Sequence, residues 1–138
     1  MKKILLLLLC TATLGLASCK KEVIVDPGLP NETIEVVIRP SAWVTTPNRT
    51  TLTATIPFPE LDDATFNNDA VIVSLYPDND VPEYRAMPFV YGGETYTYTV
   101  RRGAIIIDIQ TTGDQTLIPQ KPTRDLGLRV TFVTSKLR

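Results

Sequence analysis

The sequence predicts an all-β protein, a single antiparallel β-sandwich of about seven strands over residues 32–138. Short runs of β-branched and aromatic residues recur there, and turn clusters separate them about every 8–12 residues, as in sandwiches and barrels. No stretch of this region carries a long helical period. Of these two architectures, a sandwich is favoured.

The amino terminus has the layout of a secretory signal. Lys2 and Lys3 form a cationic start, an apolar run follows from Ile4, and small residues end the segment at Ala17 and Ser18. A membrane-spanning helix needs about 20 apolar residues, and this core is shorter. The other interpretation is a buried amphipathic helix, but five consecutive leucines show no 3.6-residue period.

The segment Leu16-Ala17-Ser18-Cys19 resembles the lipobox of bacterial lipoproteins in all four positions. The resemblance implies that the bond between Ser18 and Cys19 is cut, that the thiol of Cys19 receives a diacylglycerol, and that the new amine is acylated, commonly with palmitate. We therefore expect a signal peptide at 1–18, a lipidated tether at 19–31 and the sandwich at 32–138. Cys10 leaves with the signal, so Cys19 keeps no partner for an internal disulfide.

The predicted strands follow in order after the proline- and glycine-rich tether. TIEVVIR places Ile34, Val36 and Ile38 on one face, and TTLTATI also alternates. AVIVSLY is apolar on both faces and indicates a central strand. Pro88 limits YRAMPFV to an edge or a bulge. The remaining runs are TYTYTVR, AIIIDIQ and GLRVTFVTS, and PELDDATFNND is expected to hold one helical turn, with Asp62 and Asp63 solvated or capping it.

One hairpin can be predicted at the level of register. Arg102-Gly103 suits a tight turn with Gly103 at a positive φ. The pairs across the ladder are then 100 with 105, 98 with 107 and 96 with 109, and all six residues share one face. Thr97 lies opposite Asp108 on the other face. This register makes Tyr96 and Tyr98 core residues rather than a platform for stacking sugars.

Composition excludes several kinds of chemistry. The chain contains no histidine, which excludes Ser-His-Asp and Cys-His catalysis and leaves no His or free Cys for zinc. No glycine-rich phosphate loop is present. Without residues 1–18, 12 basic residues stand against 15 acidic ones, a formal charge of −3, which argues against a nucleic-acid partner. Carboxylate chemistry and calcium binding by oxygen ligands remain open.

Few side chains are candidates for binding. Trp43 and Tyr91 are candidate ligand-binding aromatics, although a tryptophan between two strands also fills one end of a sandwich. Asp78, Asn79 and Asp80 form a weak calcium candidate within PDNDVPE, which is also an ordinary turn composition. No catalytic residue is nominated, and no cofactor is expected besides the covalent lipid on Cys19.

The segment at residues 111–125 is long and irregular. Loops beyond about 12–15 residues are uncommon unless they are functional or mobile. Two interpretations stay open: it carries a binding surface, or it is a flexible connection that crosses between the sheets.

The chain as a whole resembles the small β-sandwich lipoproteins of Bacteroidetes-type cell envelopes. The resemblance rests on the lipobox, on the stretch at residues 56–76 with its central strand ending in tyrosine, on MPFVY and on LRVTFV. That family is largely of unassigned function, so the resemblance implies a fold and a location but no catalytic residues. Lys20 directly after Cys19 favours the outer membrane, and Lys21-Glu22 matches a surface-export signal in part, so the side of the membrane stays undecided.

These observations give three functional hypotheses. The first is a membrane-anchored, non-enzymatic envelope lipoprotein that contacts another envelope protein or stabilises an assembly. The alternative is a glycan-binding lipoprotein that captures polysaccharide through Trp43 or Tyr91. A remote alternative is a glycoside hydrolase with two carboxylates, for which the spacing nominates no pair.

Overall fold

The computed structural model describes residues 30–77 and 83–135 of the chain. The described part contains nine strands, a single 3-10 turn at Pro40–Ala42 and one short helix, α1, at Asp63–Asn68. The strands are β1 (Glu32–Ile38), β2 (Val44–Thr45), β3 (Leu52–Pro57), β4 (Ala70–Tyr76), β5 (Arg85–Ala86), β6 (Phe89–Tyr91), β7 (Glu94–Arg101), β8 (Ala104–Thr111) and β9 (Leu126–Val133).

The strands form two antiparallel sheets, which confirms the predicted all-β sandwich. One sheet has four strands in the order β1-β9-β4-β5, and the other has five in the order β2-β3-β8-β7-β6. Every strand pair is antiparallel. β1 and β9 are neighbours although they lie at opposite ends of the domain sequence. The four-stranded sheet is therefore complete only when the whole domain is present.

All seven predicted runs form strands, and the two additional strands have specific causes. The run YRAMPFV divides at the cis Met87–Pro88 peptide bond into β5 and β6, which are edge strands of different sheets. The chain changes sheets at Pro88, so both parts of the run lie at sheet edges, as the sequence predicts. β2 has only two residues, too few to show an alternating pattern in the sequence.

The predicted register of the β7–β8 hairpin is confirmed. Val100 pairs with Ile105, Tyr98 with Ile107 and Tyr96 with Ile109, and Thr97 pairs with Asp108 on the opposite face. The three isoleucines are fully buried, Tyr96 is buried, and Tyr98 and Val100 pack partly against the core. The two tyrosines therefore belong to the interior, as the alternation predicts.

The turn of this hairpin is held by the segment that follows β3. Gly103 has a φ of 72°, so it occupies the left-handed region that glycine reaches without steric cost. The backbone N–H of Gly103 donates to the carbonyl of Leu61 (2.9 Å), and the N–H of Phe58 donates to the carbonyl of Gly103 (2.9 Å). The turn is thereby fixed to the bridge between the two sheets.

The core lies between the inner faces of the two sheets. β8 and β9 contribute more buried residues than any other strand, because alternate residues of each point inward and are almost completely buried. Phe58 and Leu61 come from the bridge between β3 and α1, and Phe58 meets Phe132 edge-on at 6.4 Å between ring centroids. The bridge is thus part of the core rather than a surface loop.

Helix α1 supplies the single helical turn that the sequence predicts. Asp62 is its N-cap, and its Oδ1 accepts a hydrogen bond from the backbone N–H of Thr65 (2.8 Å). Hydrogen bonds from this backbone N–H and from the side chain of Thr65 lower the pKa of Asp62. Asp63 pairs with Arg102 (2.9 Å) on the exposed surface. Both aspartates therefore have the solvated or capping roles expected of them.

Several expectations fall outside the described residues. The signal peptide, Ser18, Cys19 and most of the tether precede residue 30, and Asp78, Asn79 and Asp80 lie in the gap before residue 83. Within the described ranges, none of the helices has the length and apolar character needed to span a membrane.

Replacing Gly103 with alanine should destabilise the fold. A Cβ at this position would meet no atom within 4 Å, so the cost comes from the positive φ alone and should be about 1–2 kcal/mol. Urea denaturation of the full chain measures it. Gly113→Ala is the matched control, because it also meets no atom and has no positive φ. Equal effects of the two substitutions would contradict this account.

Candidate functional site

A cleft with a volume of about 290 Å³ lies at one end of the sandwich. One wall comes from the β6–β7 turn and the first residues of β7, and the other comes from the connection between β8 and β9, including Gln120, Lys121 and Arg124. Leu126, the first residue of β9, lies at its base, beside Pro77. The cleft is the candidate functional site because Tyr91, a predicted ligand-binding aromatic, and the long connection both line it.

The cleft lies at the end of the sandwich opposite to the first described residue. Pro30 precedes β1, which begins with Glu32 paired to Phe132 and ends with Ile38 paired to Leu126. Because Leu126 lines the cleft, the length of β1 separates the cleft from the point where the chain enters the domain. Seven strand residues correspond to about 20 Å.

The connection at residues 112–125 crosses between the sheets and also lines the cleft. It joins β8 of the five-stranded sheet to β9 of the four-stranded sheet, as one of the two predictions for this segment requires. Pro119 is buried, whereas most other residues of the connection are exposed. The other prediction, a binding surface, is compatible with the same path because five of its residues line the cleft.

Glu94 joins the two walls of the cleft. Its Oε1 accepts a hydrogen bond from the backbone N–H of Gln120 (2.6 Å), and its Oε2 accepts one from the hydroxyl of Tyr96 (3.2 Å). Burial raises the pKa of the Tyr96 phenol above its usual range, and the negative charge of Glu94 adds to the effect. Tyr96 therefore stays protonated near neutral pH and acts as a donor to Glu94.

Tyr91, one of the two predicted ligand-binding aromatics, lines the cleft. It ends β6 and is half-buried. The guanidinium of Arg85 lies 4.6 Å from the centroid of its ring, and Arg85 also pairs with Glu83 (2.6 Å). A cation over an aromatic ring is attracted by the negative face of the ring and helps to fix its position. A role of Tyr91 in ligand binding stays a prediction.

Trp43 lies in the core rather than on a binding surface. It is 2% exposed and follows the 3-10 turn at Pro40–Ala42, where the chain passes from the four-stranded to the five-stranded sheet. Its indole Nε1 finds no hydrogen-bond partner in the described residues. The ring has no free face for a sugar, so the structure agrees with the alternative in which Trp43 fills the interior.

The carboxylates of the described residues do not form a metal centre. No group of three or more His, Cys, Asp or Glu side chains in the described ranges is arranged to hold a metal ion. A second depression, about 440 Å³ in volume, lies at the other end of the sandwich and is lined by Glu32, Glu60 and Asp69. The cleft itself has one carboxylate in its lining, Glu94, and both oxygens of Glu94 already accept hydrogen bonds.

The sequence indicates Tyr91 and the long connection as candidate binding features, but it does not predict that Glu94 of β7 bonds to Gln120 of that connection. Glu94 and Gln120 lie 26 positions apart, and no local motif relates them. The available signal was the glycine pair Gly92-Gly93 before β7, which predicts a tight turn and therefore a strand end at this edge.

Comparison of the chain with protein-family models, with curated proteins and with solved structures gave no match.

Replacing Trp43 with alanine should lower the free energy of unfolding by about 3–5 kcal/mol, the usual cost of removing a buried aromatic side chain. Trp43→Phe should cost much less, because it keeps an aromatic ring in the core and removes the unpaired indole N–H. Chemical denaturation followed by circular dichroism measures both. Unchanged stability of Trp43→Ala would contradict the core role.

Replacing Glu94 with alanine should loosen the connection at residues 112–125. Loss of the hydrogen bond from Gln120 to a carboxylate corresponds to about 1.5–3 kcal/mol, which is tenfold or more in the exchange rate of the Gln120 amide. Hydrogen-exchange mass spectrometry measures the change. Glu94→Gln keeps an acceptor oxygen and should have a smaller effect, and Glu60→Ala at the other end should leave the amide unchanged.

Proposed function

We propose that the chain is a lipid-anchored, non-enzymatic lipoprotein of the bacterial outer membrane, whose β-sandwich contacts another protein of the envelope. The observation that supports this best is the arrangement of the two ends of the sandwich. The described chain starts at Pro30 on one end, and the cleft lies at the other. A chain anchored on Cys19 therefore joins the domain at the end opposite to the cleft.

The physical chemistry of the anchor is consistent with this arrangement. Each buried methylene of an acyl chain contributes about 0.8 kcal/mol, and two or more chains anchor a protein stably where a single chain does not. Residues 19–30 reach at most about 40 Å when fully extended. The domain is therefore confined to the layer next to the membrane, and partners that share this layer meet it at a high effective concentration.

The non-enzymatic assignment is supported by the side chains that the protein has. The absence of histidine from the sequence removes the most common general base near neutral pH. A glycosidase needs two carboxylates about 5–10 Å apart in a cleft. The described lining of the cleft offers Glu94 alone, and its oxygens hold the two walls together.

Cys19→Ser should abolish lipid attachment. Without the thiol no diacylglycerol is attached, so metabolic labelling with a palmitate analogue should mark the wild type and not the variant. Because cleavage follows lipidation in the implied pathway, the variant should also keep residues 1–18, which intact-mass measurement detects. Ser18→Ala is the control, because it keeps the thiol and a small residue before it. Equal labelling of Cys19→Ser and wild type would contradict the anchor.

A crosslinked membrane pulldown tests the partner. The lipidated chain, captured from the cells that produce it after treatment with a short amine-reactive crosslinker, should retain one or more envelope proteins in a fixed ratio. The control is the same chain added to the lysate after crosslinking. Retention of no protein by the wild-type chain would contradict the proposed contact.

Glycan capture is a second candidate, favoured by the position of Tyr91 beside a half-polar cleft. Its ring offers an apolar surface to sugar C–H groups, and Gln120, Lys121 and Thr123 offer polar groups to sugar hydroxyls. Trp43 does not contribute because it is buried. In this case the ligand enters at the end of the sandwich opposite to the one where the tether joins the domain.

Tyr91→Ala should then reduce retention in native gels that contain the envelope polysaccharide of the producing cells by tenfold or more. Tyr91→Phe should keep it, because stacking needs the ring rather than the hydroxyl. The matched control is Val90→Ala, which changes an exposed neighbour on the outer face of β6. Melting temperatures of all variants separate lost binding from lost folding. Equal retention of Tyr91→Ala and wild type would exclude this candidate.

A further inference from the structure

The free edge of β1 is the longest open edge of the described sheets. β1 pairs with β9 along its whole length, from Glu32 with Phe132 to Ile38 with Leu126. In the described ranges, no other strand pairs with it, and no further backbone hydrogen bond reaches residues 32–38. In an antiparallel ladder alternate residues bond to each neighbour, so about half of its backbone groups point away from β9.

The other edges are shorter or partly covered. β2 and β5 have two residues each and β6 has three. Beyond β5, the flank of β4 is closed by the hydroxyl of Tyr98, which donates to the carbonyl of Val71 (3.1 Å), and by the N–H of Met87, which donates to the carbonyl of Val73 (2.9 Å). On the side away from β8, β2 pairs only with the first two residues of β3 and leaves residues 54–57 unpaired, and β6 leaves residues 97–101 of β7 unpaired.

The side chains of β1 are also incompletely covered. Ile34 and Val36 face inward but are only partly buried, whereas Leu128 and Val130 opposite them on β9 are fully buried. Val37 on the outer face is 62% exposed. A neighbouring strand with apolar residues at alternate positions would complete the burial of Ile34 and Val36.

β1 has few of the devices that usually protect an edge strand. It contains no proline and no lysine, and its register with β9 is continuous, without a bulge. Its charged residues are Glu32 and Glu35, and the carboxylate of Glu35 pairs with Arg129 of β9 (2.6 Å). An edge of seven residues that no described strand covers has the length and regularity that β-strand addition uses.

We propose that β1 is a strand-addition site, where an extended segment of an envelope protein pairs antiparallel to residues 32–38; the class of partner rests on the function proposed above. The segment carries apolar residues at alternate positions, facing Ile34 and Val36. Its C-terminal end lies beside Glu32, in the end of the sandwich where Glu60 and Asp69 also line a depression. Lysine or arginine at that end of the segment completes the charge pairing.

A second copy of the chain fits the edge less well. Antiparallel pairing of β1 with the β1 of a second copy directs the two Glu32 ends in opposite directions, about 20 Å apart. Pairing in full register also places Glu35 of one copy opposite Glu35 of the other, and like charges directly opposite each other destabilise a ladder. A different protein with a free extended segment has no such constraint.

Site-specific photocrosslinking in the producing cells tests the site. A photoreactive residue replaces Val37 in the full lipidated chain, and the matched control replaces Val90, which is 55% exposed on the edge strand of the other sheet. We expect a product with one other envelope protein from position 37 only, with the crosslink in a segment of alternating apolar residues. In the complex, the amides of residues 32–38 should exchange at least tenfold more slowly than in the free chain.

A synthetic peptide with the sequence of the crosslinked segment gives a second measurement. It should bind the purified full chain and slow the exchange of the amides of residues 32–38. A version N-methylated at alternate residues should bind at least tenfold more weakly, because it keeps the side chains but loses donors to the ladder.

A product of twice the chain mass, a product from position 90 alone, or protection at the cleft without protection of β1 would overturn the inference. If the pulldown identifies a partner and β1 stays unprotected, the strand-addition site fails and the proposed function stands. If the pulldown retains no partner, the proposed function fails first.

Discussion

The alternation of β8 is the constraint on which the rest of the structure depends. Ile105, Ile107 and Ile109 are completely buried on one face, and Asp108 lies on the other, where its Oδ1 accepts a hydrogen bond from the hydroxyl of Thr53 (2.6 Å). A shift of one residue would turn Asp108 into the core and the isoleucines into solvent. Because β8 pairs with β7 on one side and with β3 on the other, this single register fixes the inner face of the larger sheet.

The second sheet is tied to the first through the bridge after β3. Phe58 and Leu61 hold the turn at Gly103 through backbone hydrogen bonds, and both side chains enter the core. Phe58 also meets Phe132 of β9. The hairpin that sets the register and the strand that joins β1 to β4 are therefore connected by one short segment, and packing there stabilises both layers together.

The sequence predicts those features that depend on local patterns. Alternation predicts the class, every strand except the two-residue β2, and the register of β7 with β8, and the fixed φ and missing N–H of proline predict that the run around Pro88 lies at a sheet edge. The position of Trp43 was not decided, because exposure at the end of a strand depends on where the chain crosses between sheets. The link from Glu94 to Gln120 was missed because it depends on the path of a 14-residue connection, which tertiary contacts determine. The end-to-end separation of Pro30 and the cleft follows from pairing β1 with β9, which no local pattern reveals.

The burial of Trp43 has an optical consequence. It is the only tryptophan of the chain and is 2% exposed among apolar side chains between the sheets. Its fluorescence emission therefore comes from the interior, at the short wavelengths typical of an apolar environment, and moves to longer wavelengths when the sheets separate. The ring does not line the cleft, and β1 lies in the other sheet from β2, so a molecule bound at either place changes this emission only by changing the packing of the core. One intrinsic fluorophore thus reports on the integrity of the whole sandwich, separately from the occupancy of its surfaces.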